Sequence, residues 1–226
     1  PGTARPSHSR EVQVPAEGGA IRLPGELTVP EGATAVVVFA HGSGSSRHSP
    51  RNRVVAEGLN RAGLATLLFD LLTEAEETDR ANVFDTPLLA GRLADATRWL
   101  RGQPETEGMA VGYFGASTGA AAALWAAAEP DSQVAAVVSR GGRPDLAGER
   151  LPSVTAPTLL IVGGRDHAVL DLNRQAQARL RCENRLAVVP GATHLFQEPG
   201  ALEEVTDLAT EWFTDHMTRA AQPVGR

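Results

Sequence analysis

A chain of 226 residues with 42% hydrophobic content is long enough to bury one substantial core, and its net charge of −6 comes without any basic run. Nucleic acid is therefore not the expected partner, because a phosphate backbone needs clustered cations. No apolar stretch nears the roughly 20 residues that a bilayer span requires, and residues 1–10 carry no apolar signal region, so a cytoplasmic protein that does not enter a membrane is expected. Every Lys or Arg position is arginine, which excludes Schiff-base chemistry, a Ser-Lys dyad and a lysine-bearing phosphate loop. The single cysteine, Cys182, permits no intrachain disulfide, and with no glycine elbow around it the residue reads as structural or incidental.

In chain order, residues 11–14 and 21–29 alternate polar and apolar side chains around the turn Glu17-Gly18-Gly19, which predicts an antiparallel hairpin at one edge of a sheet. Apolar runs follow at 35–40, 65–70, 110–114, 134–139, 158–162 and 186–189, with helical patterns at 50–61, 88–101, 117–128 and 170–181 and a last helix over 202–216. Ser49 and Pro50 mark the start of the first helix and Gly63 its end. Continuous apolar strands alternating with helices imply a mainly parallel sheet covered on both faces. The expected architecture is an α/β-hydrolase fold in a single domain over residues 1–226, with frayed ends at about 1–9 and 220–226. The longest connection without evident periodicity, 71–87, is acidic at Glu74, Glu76, Glu77 and Asp79; it reads as a solvated loop, or else as a lid or pocket wall that begins at Leu71.

The pattern richest in chemistry is Gly115-Ala116-Ser117-Thr118-Gly119, set between an apolar run and an alanine-rich helix. Strand, sharp turn and helix form the context of a nucleophile elbow, with the flanking glycines relieving the close approach of strand and helix. Downstream, one apolar run ends in Gly163-Gly164-Arg165-Asp166 and the next in Pro190-Gly191-Ala192-Thr193-His194. Serine, aspartate and histidine in this chain order, each at a strand end, predict Ser117 as nucleophile, Asp166 as orienting acid and His194 as base. Asp70, at the end of an earlier strand, is the rival acid. Upstream, His41-Gly42-Ser43-Gly44 follows a buried strand; its Ser43 amide and that of Thr118 are the expected oxyanion donors. His41 reads as a support for that backbone rather than as a proton carrier. Arg47, His48, Arg51, Arg140 and Arg143 are candidates to hold a carboxylate or phosphate of a substrate, because loops beyond strand ends are where open α/β sheets bind ligands; Arg47 and Arg140 are the first choices, with His41 and Leu71 beside them.

On these residues the chain resembles the dienelactone hydrolase-like α/β-hydrolases. It is most similar to a serine-nucleophile subgroup found alone or fused to phosphoribosyltransferase domains, on the stretches beginning at His41, at Leu68-Phe69-Asp70-Leu71-Leu72-Thr73 and at Ser139-Arg140-Gly141-Gly142-Arg143-Pro144-Asp145. Dienelactone hydrolases proper use a cysteine and carry an acidic residue in the first loop, where this chain has Ser117 and His41-Gly42-Ser43, so lactone specificity does not transfer. The reading is a serine esterase for a small-molecule ester or lactone, needing no metal or organic cofactor, with a phosphoribosyltransferase as the partner that the resemblance implies. Lactonase, thioesterase, acyltransferase and small-peptide hydrolase chemistry would use the same machinery; a noncatalytic ligand-binding or partner module is the reading outside enzymes.

Overall fold

The computed structural model of the chain describes residues 6–217. Its sheet has eight strands: β1 (Ser7–Ala16), β2 (Ile21–Pro30), β3 (Ala35–Ala40), β4 (Ala65–Phe69), β5 (Ala110–Ala116), β6 (Ala136–Arg140), β7 (Thr158–Gly163) and β8 (Asn184–Val189). They lie in the order β1-β2-β4-β3-β5-β6-β7-β8. The β1–β2 hairpin and the β2–β4 pair are antiparallel, and the remaining pairs are parallel, as the alternating and the continuous apolar runs respectively required. Strand β1 begins earlier than expected: Ser7, His8 and Ser9 pair with Pro30, Val29 and Thr28, so these residues are not frayed. The expectations for residues 1–5 and 220–226 lie outside the described residues.

Seven α-helices are described: α1 (Pro50–Arg61), α2 (Glu74–Glu77), α3 (Arg80–Val83), α4 (Thr86–Arg101), α5 (Thr118–Ala127), α6 (His167–Arg179) and α7 (Ala201–Met217). Period-2 alternation distributes the fully buried strand residues between two cores. Val36, Val38 and Ala40 of β3 face Leu93 and Leu100 of α4 and the alanines of α5, while Ala35, Val37 and Phe39 face Val55 and Leu59 of α1 and Val205, Ala209 and Phe213 of α7. A long 3-10 segment, Pro144–Ser153, kinked at Gly148, packs Ala147 and Leu151 into the first of these cores. It escaped the sequence reading because Gly148 and Pro152 interrupt any helical period.

The connection over 71–87 is largely exposed to solvent, as expected, but it is not irregular. Thr73 caps α2 in a reciprocal box with Glu76, Asp79 caps α3, and Asp85 accepts from the Leu88 amide at the start of α4. The acidic residues that suggested solvation thus include caps, and four-residue helices are too short to show periodicity. Arg92 of α4 holds the segment. Only 1% exposed, its guanidinium donates to both oxygens of Glu76 at 2.9 and 2.6 Å, to the Leu71 carbonyl at 3.3 Å and to Glu17 at 3.4 Å. Through the first of these contacts Arg92 pulls the Glu76 carboxyl from 4.5 down to about 2.

A carboxyl depressed in the folded chain stabilises the fold above its unfolded pKa, and that stabilisation is lost as pH falls through the folded one. The Glu76–Arg92 contribution, roughly 3 kcal/mol from the size of the shift, should therefore be complete above pH 4.5 and disappear toward pH 2. Arg92→Met should lower stability in urea by about 3 kcal/mol at pH 7, the low end for breaking a buried pair because Glu76 can rehydrate. Glu76→Gln should cost at least as much there, since Arg92 stays buried, and should flatten the acid limb. Wild-type stability in both variants would show that the segment is held by apolar packing alone.

Candidate active site

Three strand ends and one loop meet at the carboxyl edge of the sheet. Ser117 joins β5 to α5 with φ +53° and ψ −122°, a left-handed conformation that a serine adopts only when its surroundings enforce it. The enforcement comes from both flanking glycines. A Cβ on Gly115 would lie 2.5 Å from Ala120 Cα, and one on Gly119 would lie 2.2 Å from the Ala40 carbonyl oxygen; no other residue fits either position. The elbow is also tied to the next strand, because the Ser117 amide donates to the Arg140 carbonyl at 3.3 Å and the Arg143 amide donates to the Ser117 carbonyl at 3.0 Å.

His194 lies beyond β8 and Asp166 beyond β7, and the two loops are pinned together by the Gly164 and Arg165 amides donating to the Val189 and Ala192 carbonyls, each at 2.9 Å. His194 Nδ1 stands 2.7 Å from Asp166 Oδ2, which orients the ring with Nε2 as the free nitrogen. The side chain of Asp166 is largely buried and that of His194 is partly open to solvent. Ser117 and His194 line the same cavity of about 250 Å³; no hydrogen bond joins Ser117 Oγ to the imidazole among the described residues. Asp70, the rival acid, is committed elsewhere: it accepts the Arg47 amide at 2.8 Å and Arg47 Nη1 at 2.6 Å.

The loop after β3 closes the other side. Gly42 sits so near the elbow that a Cβ there would come within 3.1 Å of Ser117 Cβ. The Ser43 amide donates to Thr118 Oγ1 at 2.9 Å, so this expected oxyanion donor is engaged by the side chain of the other one. His41, 7% exposed, accepts the Leu71 amide on Nε2 at 3.0 Å, and its Nδ1 lies 2.9 Å from the Gly42 carbonyl. One nitrogen must accept and the other must donate, so the ring is neutral; burial pushes its pKa below the ordinary 6.5. It ties the loop after β3 to the segment that Arg92 clamps. His41, Leu71 and Leu72 also wall a second cavity of about 160 Å³ that shares Gly42, Ser43 and Ser45 with the first.

The arginine candidates separate by partner. Arg47 pairs with Asp70 and Arg143 with Asp145; neither lines the 250 Å³ cavity, whereas Arg140 and Arg51 both do. Arg140 is the last residue of β6 rather than a loop residue, 6% exposed, with its guanidinium 5.6 Å from the Phe196 ring centre. Nothing in the sequence separates the paired arginines from the others, since pairing depends on which carboxylates the fold brings near. Cys182 is half-buried against Thr158, away from this edge, and burial raises its thiol pKa. No helix among the described residues is long and apolar enough to cross a membrane.

Comparison with known proteins identifies the family and the fold. The model of the dienelactone hydrolase family matches residues 23–220. A crystal structure of a dienelactone hydrolase from Anabaena variabilis is 56% identical, with TM-score 0.90, and covers 93% of this chain and 99% of that one. Est1E from Butyrivibrio proteoclasticus, 16% identical with TM-score 0.77 over 91% of this chain and 98% of its own, shares the fold. A Mycobacterium tuberculosis protein provisionally named a phosphoribosyl transferase is 65% identical over 212 residues, which is 94% of this chain and 47% of that protein; the chain thus spans about half the length of such curated relatives. With the family match running from β2 past α7 over a sheet of this strand order, the chain belongs to the dienelactone hydrolase family.

Proposed function

We propose that the chain is a serine hydrolase that cleaves small carboxylic esters. The observation that carries the reading is one shared cavity: Ser117, held on its elbow, faces it together with His194, whose other ring nitrogen is bonded to Asp166. Ser117 Oγ attacks the acyl carbon while His194 Nε2 takes its proton; Asp166 keeps the ring in the required tautomer and stabilises the cation. The hydrogen bond between serine and imidazole forms as substrate fills the cavity, because such contacts are often long in empty sites. The Thr118 amide, in the first turn of α5, and the Ser43 amide receive the oxyanion, the latter by turning from the Thr118 hydroxyl. The imidazolium then protonates the leaving alcohol, and water activated by the same histidine releases the acid.

A lactone is the second reading, supported by the name of the 56%-identical Anabaena structure; a cyclic ester needs the same steps. The longer Mycobacterium tuberculosis relatives support placing such a hydrolase unit beside a phosphoribosyltransferase unit.

A fluorophosphonate should label Ser117 stoichiometrically and leave Ser117→Ala unmodified when peptides are mapped by mass spectrometry; label on Ser43 or Cys182 instead would overturn the assignment. Asp166→Asn should reduce kcat for p-nitrophenyl acetate by on the order of 10⁴ with little change in KM, because the imidazole then adopts the wrong tautomer. Near-normal turnover would return the acid's role to another carboxylate. The cavity at Ser117, about 250 Å³, is lined mainly by serines, Arg51, Asn52, Arg140 and His194 and offers no extended apolar wall, so kcat/KM should be highest from acetyl to butyryl esters and fall by more than about tenfold at octanoyl. A rise with chain length would contradict the small site.

A further inference from the structure

Two arginines line the cavity that holds Ser117, and neither has a carboxylate within salt-bridge distance among the described residues. Arg140 forms no salt bridge or hydrogen bond through its guanidinium with any described residue, and its buried Nε has no partner; its one charge-related contact is the face of Phe196. Arg51 likewise has a buried Nε without a partner and no salt bridge. Both line the cavity that holds Ser117. Their mutual repulsion adds to burial in pulling the Arg140 pKa down to about 10, which still leaves the group charged at neutral pH. Arg47, Arg143 and Arg92 all have carboxylates, whereas the buried Arg140 has none among the described residues.

The buried guanidinium of Arg140 is strongly disfavoured unless something outside the chain neutralises it, and the partly exposed Arg51 adds a second charge to the same wall. Arg51 lies in the first turn of α1, whose positive dipole end reaches the same wall, and Ser49 at its cap lines the cavity too. Asn52 adds an amide whose buried oxygen has no partner and which can be turned to donate. A monoanion would leave one of the two guanidinium charges unbalanced. A doubly charged tetrahedral oxyanion matches both, and guanidinium forks suit its oxygens. We propose that Arg51 and Arg140 form a subsite for the phosphate monoester group of a phosphorylated short-chain ester, placing that dianion in the cavity from which Ser117 attacks the acyl carbon.

The proposal rests on the serine-hydrolase reading for its substrate but not for its binding test. Calorimetric titration of Ser117→Ala with inorganic phosphate, at constant ionic strength, should show one site that binds at least tenfold tighter than acetate and tightens as phosphate loses its second proton. Arg51→Gln in the same background should weaken phosphate at least tenfold; its partly exposed position makes misfolding a lesser concern than for Arg140→Gln, which should act in the same direction. In the wild type, phosphate should inhibit p-nitrophenyl acetate hydrolysis competitively, and an acetyl ester of glycerol phosphate should have a kcat/KM at least tenfold above that of acetylglycerol. Phosphate binding that is absent, no tighter than acetate, or unchanged in Arg51→Gln would overturn the subsite even if Ser117 proves to be the nucleophile. Phosphate binding lost in Arg51→Gln, from a protein that hydrolyses neither ester, would keep the subsite and overturn the hydrolase reading instead.

Discussion

Helix α5 can meet strand β3 only because residue 119 has no side chain. With the Ala40 carbonyl oxygen 2.2 Å from where a Cβ would be, any other residue would push α5 off the sheet and carry the elbow with it. The same approach brings the loop after β3 against Ser117 and puts the Thr118 hydroxyl within reach of the Ser43 amide. Strain at Ser117 is sustained because β5, β6 and β3 hold the elbow from several sides through backbone groups, so it persists whether or not the cavity is filled.

A second constraint runs from the helix layer to the site. Arg92 of α4 clamps Glu76 and the Leu71 carbonyl, the Leu71 amide meets His41, and His41 meets the carbonyl of Gly42. Apart from the Arg92–Glu76 pair, each link joins a buried charge or ring to a backbone group, and together they fix one wall of the site beside the buried Leu71 and Leu72. The neutral state of His41 belongs to this role, since a second proton would leave the Leu71 amide facing a donor.

The central sheet was legible because β3, β5 and β7 are uninterrupted apolar runs, and the elbow because two glycines flank one serine at a strand-to-helix junction. The segment after β4 was not legible. Its helices are single turns, and Glu76 looks like a surface charge until α4 presents Arg92 sixteen residues later. The arginines look equivalent in sequence and are sorted by partner in space: Asp70 follows β4 and finds Arg47 because β4 lies next to β3, whereas Asp166, beyond the β7 strand next to β6, is engaged by His194. The 3-10 segment after Arg143 stayed hidden for the opposite reason, because its breakers are part of its shape.

Among the described residues strand β8 has one neighbour, β7, and it is the strand that delivers His194. Ser117 is carried by β5 in the middle of the sheet, so the serine and the imidazole sit on parts of the fold with unequal resistance to local opening. Fraying of this edge would separate His194 from Ser117 while the rest of the sheet stayed intact, so heat should silence the site at a temperature where most of the secondary structure survives.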